Sequence, residues 1–294
     1  LAQNASKTTV STLARIAWET VGTIVSRLVD RLRSGDVLDQ LRDIGVDELS
    51  YRKHHEYVTV VVDHRRGRIV WARPGKNAET LAQFFRELGA ERAGKLERVS
   101  IDMSAAYEKA VRAAAPQAEV VFDRFHVQRL VHDALDELRR REVRATVEPT
   151  AAKALKKTRW ALHKRPWNLT STERTKLGDV QRTNRRLYRG HLLKETLAAI
   201  LDGDDDAGPP ELSLPRWIRW ARRSRLPPLQ RAAATIRSHL GGILAYCSSR
   251  ISNARVEALN GKARTITRRS YGFHGPNSLI ALLFLCCGGI RLAP

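Results

Sequence analysis

Glu257 is the only acid between Asn253 and Pro294, a stretch that also carries six Lys or Arg. An acid kept single among cations suggests a divalent-metal ligand beside a phosphate-binding surface. Two more acids fit the same chemistry. Asp47 lies in Ile44-Gly45-Val46-Asp47-Glu48, and Asp102 follows the apolar run Val99-Ser100-Ile101, so each can fall on or at the end of a strand. Three carboxylates in one pocket repel unless cations neutralise them, and a pair of metal ions held this way serves phosphoryl transfer on DNA. Each acid also has an ordinary reading. Any of them can be a surface ion-pair partner, Glu48 and Asp63 compete with Asp47, and Asp102 can be a helix cap.

Other residues surround this pattern. Asp123-Arg124-Phe125-His126 ends a further strand; His126 either holds in place an acid that supports the site, or donates to a phosphate, or pairs with Asp123 to orient the helix that follows. On a helix through 250–264, Asn253, Asn260 and Gly261 share the face of Glu257, and Val256 and Leu259 belong to the core side. Lys262, Arg264, Arg268 and Arg269 form a basic strip along it. Trp160, Trp167, Trp217 and Trp220 lie among cations, Lys156 and Lys157 included. That mixture suits stacking on unpaired bases, although tryptophan is more often core.

The chain has 294 residues, 52 basic against 31 acidic, and a net charge of +21. Such a balance points to a polyanionic partner. The excess is segmental: +1 over residues 1–45, +2 over 46–125, +13 over 126–252 and +5 over 253–294. A nucleic-acid path therefore belongs to the second half. Cys247, Cys286 and Cys287 form no Cys-x-x-Cys pair, which argues against a zinc site and fits a reducing cytoplasm. The apolar stretch Leu279 to Cys287 is too short to span a bilayer and predicts a buried helix. No leader peptide is evident, and residue 1 is Leu, as in a fragment.

The periodicity predicts elements that can position the acids. Thr8 or Thr9 caps a helix through Ile16, and Trp18 to Arg33 forms a second with Val21, Ile24, Val25, Leu28 and Leu32 inward. The pair reads as a helix-turn-helix or an ordinary helical hairpin. From Ile44 the period becomes that of strands. Tyr57–Asp63 and Arg68–Ala72 flank an Arg66-Gly67 turn. A helix over Ala78–Leu88 is stopped by Gly89, followed by a strand to Asp102, a helix over Ser104–Ala115, a strand over Glu119–Phe122 and a long helix from about Phe125. The acidic, glycine- and proline-rich run Asp202 to Pro210 reads as a linker, and Leu226-Pro227-Pro228 as a break.

Taken together, Gly45-Val46-Asp47-Glu48, Val60-Val61-Val62-Asp63, Ile101-Asp102-Met103-Ser104-Ala105-Ala106-Tyr107, Phe122-Asp123-Arg124-Phe125-His126-Val127, Asn253 to Lys262 and Arg269-Ser270-Tyr271-Gly272-Phe273 resemble the DDE transposases of bacterial insertion sequences, specifically the ISL-three family. The resemblance implies an α/β fold: a ribonuclease-H-like mixed-sheet core with an all-α insertion and an N-terminal helix-turn-helix-like segment. The expected boundaries are 1–43 for that segment, 44–145 and 246–294 for the two parts of the core, and 146–245 for the basic insertion.

It further implies that Asp47, Asp102 and Glu257 are catalytic and hold two Mg²⁺ ions, with Mn²⁺ as a substitute. Asp123 and His126 match the family's Asp-x-x-His signature. Asn253 and Asn260 support the site. Lys262, Arg264, Arg268, Arg269, Lys156, Lys157 and Trp160 contact DNA. The expected partners are element ends and target DNA, bound by a homo-oligomer, with no membrane. Family members usually open with a cysteine-rich zinc module and further helix-turn-helix sequence, which this chain does not contain. Two rival functions share parts of the pattern: a structure-specific nuclease, which would cut without joining strands, and a catalytically inactive DNA-binding regulator, which would bind without cutting.

Overall fold

The computed structural model describes residues 1–33, 37–52, 56–249, 251, 254–269 and 275–290, excluding the side chains of residues 52, 254–257, 260, 267 and 269. In chain order the elements are α1 (Lys7–Ala14), α2 (Trp18–Leu32), β1 (Asp43–Arg52), β2 (Glu56–Asp63), β3 (Arg68–Pro74), α3 (Ala78–Leu88), α4 (Ala90–Ala93), β4 (Arg98–Ile101), α5 (Ala105–Ala114) and β5 (Glu119–Phe122). There follow α6 (Arg124–Ala145), α7 (Pro149–Lys156), α8 (Arg159–His163), α9 (Ser171–Thr183), α10 (Arg185–Asp202), α11 (Pro210–Arg223), α12 (Pro227–Ser238), α13 (Leu240–Ser249), α14 (Ala254–Arg269) and α15 (Pro276–Cys287). Two compact units result: Leu1–Val121 with Ile251–Pro294, and Phe122–Arg250.

The first unit is built on a five-stranded mixed sheet in the order β3-β2-β1-β4-β5. β1 runs antiparallel to β2, with Asp47 opposite Val60, and parallel to β4, with Gly45 opposite Ser100. Runs of β-branched residues such as Val58 and Val60 to Val62 favour the extended backbone. At the β2–β3 hairpin, Gly67 takes φ 64°, where a side chain would be strained. Asp63 closes the same turn, accepting from the backbone N–H groups of Arg65 (2.9 Å) and Arg66 (3.1 Å) and pairing with the Arg66 guanidinium at 3.0 Å.

Side chains alternate faces along a strand. Leu49 and Tyr51 of β1, with Val58, Val60 and Val62 of β2, join one apolar cluster with Val25 and Val29 of α2, Ala263 and Ile266 of α14, and Leu279, Leu283 and Phe284 of α15. Each fully buried aliphatic of this kind contributes about 1.5–3 kcal/mol of transfer free energy. The opposite face carries α3 and α5. There Trp71 meets Phe84 edge-on with ring centroids 5.6 Å apart, and its indole N–H donates to Glu87 at 2.9 Å.

Several details differ from the pattern read in the sequence. The α1 cap is Ser6, whose hydroxyl accepts from the Thr9 N–H, because Ser6 alone precedes the first helical turn with extended backbone. α1 and α2 touch each other, but α2 spends Val21, Val25 and Val29 on the interior and leaves Ile24 and Leu32 exposed. The longest apolar run does become a buried helix, α15, and among the described residues no helix is long and apolar enough to cross a membrane.

The second unit is wholly helical, with α6 packed on α10 and α12, and α11 on α12. A Cβ on Gly190 would lie 2.8 Å from Leu138 Cδ2, so glycine lets α10 approach α6 closely. The Asp202–Pro210 run is a folded connection inside this unit: Gly203 ends α10 at φ 72°, a single 3-10 turn follows, and Pro210 opens α11. Its composition is that of a turn, and turns need the same residues as linkers. Trp217 is 1% exposed and its indole donates to the Leu193 carbonyl at 2.8 Å, which makes it core.

Candidate active site

The face alternation that builds the core also sorts the acids of β1. Asp47 has the parity of Leu49 and Tyr51 and stands opposite Val60, so it lies on the sheet face covered by α2, α14 and α15. Glu48 lies on the other face, where the Tyr107 hydroxyl of α5 donates to it at 2.7 Å. Of the competitors for the Asp47 position, Glu48 therefore faces away from α14, and Asp63 is committed to its turn.

β1 and β4 are parallel neighbours paired Asp43 to Arg98, Ile44 to Val99 and Gly45 to Ser100. Asp47 follows the last of these pairs by two residues within β1, and Asp102 follows it by two residues in the loop after β4. The strand ladder stops before Asp102, which leaves the loop ahead of α5 free to turn; there the Asp102 carboxylate accepts from the Ser104 N–H at 3.0 Å. Asp102 thus caps its own turn with one oxygen and keeps a second for other partners. Burial pushes the Glu48 carboxyl above its ordinary range; the Tyr107 bond opposes this, and the charges of Asp102 and Asp47 add to it. Burial likewise raises the Tyr107 phenol, keeping it a hydrogen-bond donor.

The third acid comes from α14, which packs against β1 through Ala263 and Ile266, with Leu259 partly buried beside them. The backbone places Glu257 and Asn260 two to three turns before the end of that helix. Their side chains and that of Arg269 fall outside the described residues, as do Asn253 and the Ser270-Tyr271-Gly272-Phe273 segment. Among the described residues no group of three His, Cys, Asp or Glu side chains is gathered to hold a metal ion. The donors that are described, the Asp47 and Asp102 carboxylates, are hard oxygen groups, one on β1 and one in the loop after β4. That set fits a divalent cation such as Mg²⁺.

Two residues beneath the acids were missed by sequence reasoning. His64 is buried and its Nε2 lies 2.9 Å from Ser100 Oγ; a Cβ on Gly45 would meet that Nε2 at 2.7 Å. Gly45 and Ser100 each precede an acid by two residues on the same face, so the imidazole fills the layer next to them. The glycine two before Asp47 was the available signal. Tyr107 stood within the quoted motif, but only the fold shows that it reaches Glu48.

Other expected site residues are placed as follows. Lys262, Arg264 and Arg268 are exposed on α14, with Lys262 donating to the Cys286 carbonyl at 2.7 Å. In the second unit, Asp123 caps α6 by accepting from the Phe125 N–H at 2.8 Å, and His126 Nε2 lies 3.7 Å from its carboxylate. Lys156 and Lys157 are exposed at the end of α7, and Trp160 is 61% exposed beneath the Arg159 guanidinium.

Comparison with known proteins places the chain in a family. Residues 44–283 match a family model described as Transposase, that of the ISL3-type DDE transposases. The chain is 40% identical, over 99% of its length and 70% of the relative's, to the transposase for insertion sequence element IS1557 of Mycobacterium tuberculosis. It is 29% identical, over 93% of its length and 68% of the relative's, to the transposase for insertion sequence element IS1001 of Bordetella parapertussis.

Proposed function

Since this chain belongs to the ISL3-type DDE transposases, enzymes that act on DNA, we propose that Asp47, Asp102 and Glu257 are its metal-binding triad and that one site both nicks the element's end and joins it to target DNA. The observation that carries this reading is the register of β1 and β4. Continued past its last pair, Gly45 with Ser100, that register would bring Asp102 next to Asp47, and α14, the helix of Glu257, packs against β1. The sheet unit is then a ribonuclease-H-like core, and the basic helical segment inserted into it holds the phosphate backbone. The α1–α2 pair remains a helix-turn-helix-like candidate for DNA contact, and the working species is a homo-oligomer on DNA.

Mg²⁺, or Mn²⁺ in its place, would be held by the three carboxylates and would supply an activated water or 3′-hydroxyl together with stabilisation of the leaving oxygen. The protein's own part is positioning. Strand β1 carries Asp47, the Ser104 N–H fixes one Asp102 oxygen, and α14 carries Glu257. No covalent protein intermediate is needed, because water in the first step and a DNA 3′-hydroxyl in the second would attack the phosphorus directly as the opposite oxygen leaves.

Glu257→Gln keeps size and hydrogen-bonding capacity and removes the charge. Nicking and joining of an end-containing duplex should both fall to background while duplex binding survives. Melting without Mg²⁺ should hold or rise, since a repelling cluster loses one charge. Wild-type nicking by this variant would refute the triad.

A further inference from the structure

We infer that a concavity between α11 and α12, ringed by Arg219, Arg222, Arg223 and Arg237, is a binding site for the phosphodiester backbone of duplex DNA. The cavity measures about 510 Å³, and Ile218 and Leu240 line it between the arginines. Arg219, Arg222 and Arg223 stand at i, i+3 and i+4 on α11, hence on one helical face, and Arg237 comes from the last turn of α12. All four are exposed, and none has an ion pair among the described residues.

Their surroundings contain almost nothing to neutralise them. Residues 210–249 hold seven arginines and one acid, Glu211. Of the seven, Arg231 reaches a carboxylate, Glu137 of α6 at 2.7 Å. Elsewhere in the same unit arginines are paired as a rule: Arg139 and Arg140 with Asp136, Arg165 with Glu195, Arg186 with Glu142. Helix C-termini favour cations, which accounts for Arg222 and Arg223 on α11 and Arg237 on α12 singly, but not for Arg219 or for the gathering of all four around one hollow. Like charges at these spacings repel, so the arrangement is unfavourable until an anion enters.

Planar guanidinium groups bind phosphate oxygens in bidentate fashion, and four arranged around a concavity match a charged rod better than a single small anion. The ligand class follows from DNA being this enzyme's substrate. It does not depend on which acids hold the metal.

The test uses the full chain and a short random duplex, with binding measured by anisotropy over a range of salt concentrations. Each arginine that meets a phosphate contributes about 0.9 to the slope of log K against log salt. Changing all four to Ala should flatten the slope by about two to four and weaken binding regardless of sequence, with the melting temperature unchanged because the side chains are exposed. Should that variant fail to fold, Arg222→Glu with Arg223→Glu should show the same loss of affinity. An unchanged slope in a folded variant would overturn the site. So would reduced binding of polyglutamate with duplex binding intact, because the hollow would then fit an acidic peptide. The Glu257→Gln chain, with all four arginines in place, should keep the wild-type salt slope, which keeps this outcome separate from the fate of the triad.

Discussion

Asp136 in the helical unit and Asp102 in the sheet unit are both half-buried carboxylates, and their neighbours differ completely. Asp136 gathers Arg139 at 2.7 Å, Arg140 at 3.3 Å and Arg159 at 3.8 Å. Burial pushes its carboxyl up, but the Arg139 bond and the three positive charges outweigh this and hold it below the usual range. Asp102 has no ion pair among the described residues, and Glu48 nearby has a neutral phenol as its partner. Within the sheet itself Asp43 and Asp63 follow the Asp136 pattern, paired with Arg65 and Arg98 and with Arg66. Acids with a structural task carry their counter-charge with them. Asp102 carries none among the described residues, which is the condition a metal site requires.

The comparison breaks first at Asp102. Asp102→Asn should reduce nicking to background while leaving the melting temperature level or higher, because the Asn side-chain oxygen still accepts from Ser104 and a repelling charge is gone. If the variant instead loses stability and nicks normally once refolded, Asp102 belongs with the structural acids. Asp136→Asn should do the reverse. It leaves Arg139, 7% exposed, without its counter-charge, and removal of one partner from such a pair costs about 3 kcal/mol. A urea midpoint unchanged from wild type would show that the arginines around Asp136 find other partners.

Much of this difference was legible in advance, because it rests on local pattern. The strands of Asp47 and Asp102, the helix stop at Gly89 and the burial of Leu279 to Cys287 follow from periodicity and from residues with narrow conformational preference. What could not be read was pairing at a distance. Nothing in the spacing of Asp63 and Arg66 separates a turn-closing acid from a catalytic one; the hydrogen bonds to two backbone N–H groups do. The position of His64 over Gly45 depends on strand register, which one residue of slip would invert. The Asp202 to Pro210 run misled because glycine and proline mark any reversal of the chain, and only packing tells a turn within one unit from a linker between two.

The smallest effect concerns a histidine in the helical unit that lies among cations. His132 meets His163 edge-on at 5.1 Å and lies near the cations Lys194 and Arg165. Burial, reinforced by those charges, lowers its pKa from 6.5 to about 4. A histidine depressed in the folded state takes up its proton more readily when unfolded. Its stabilising contribution is therefore complete above pH 6.5 and is lost as the pH falls towards 4. Solvent reaching the half-buried ring screens part of the effect, leaving about 1–2 kcal/mol. His132→Gln removes this titration and leaves His163 and His191, whose pKa values burial also lowers. Urea unfolding of wild type and variant at neutral and mildly acidic pH should show a shallower acid loss in the variant by about 1 kcal/mol. Identical pH dependence would mean that His132 is as solvated in the folded chain as in the unfolded one.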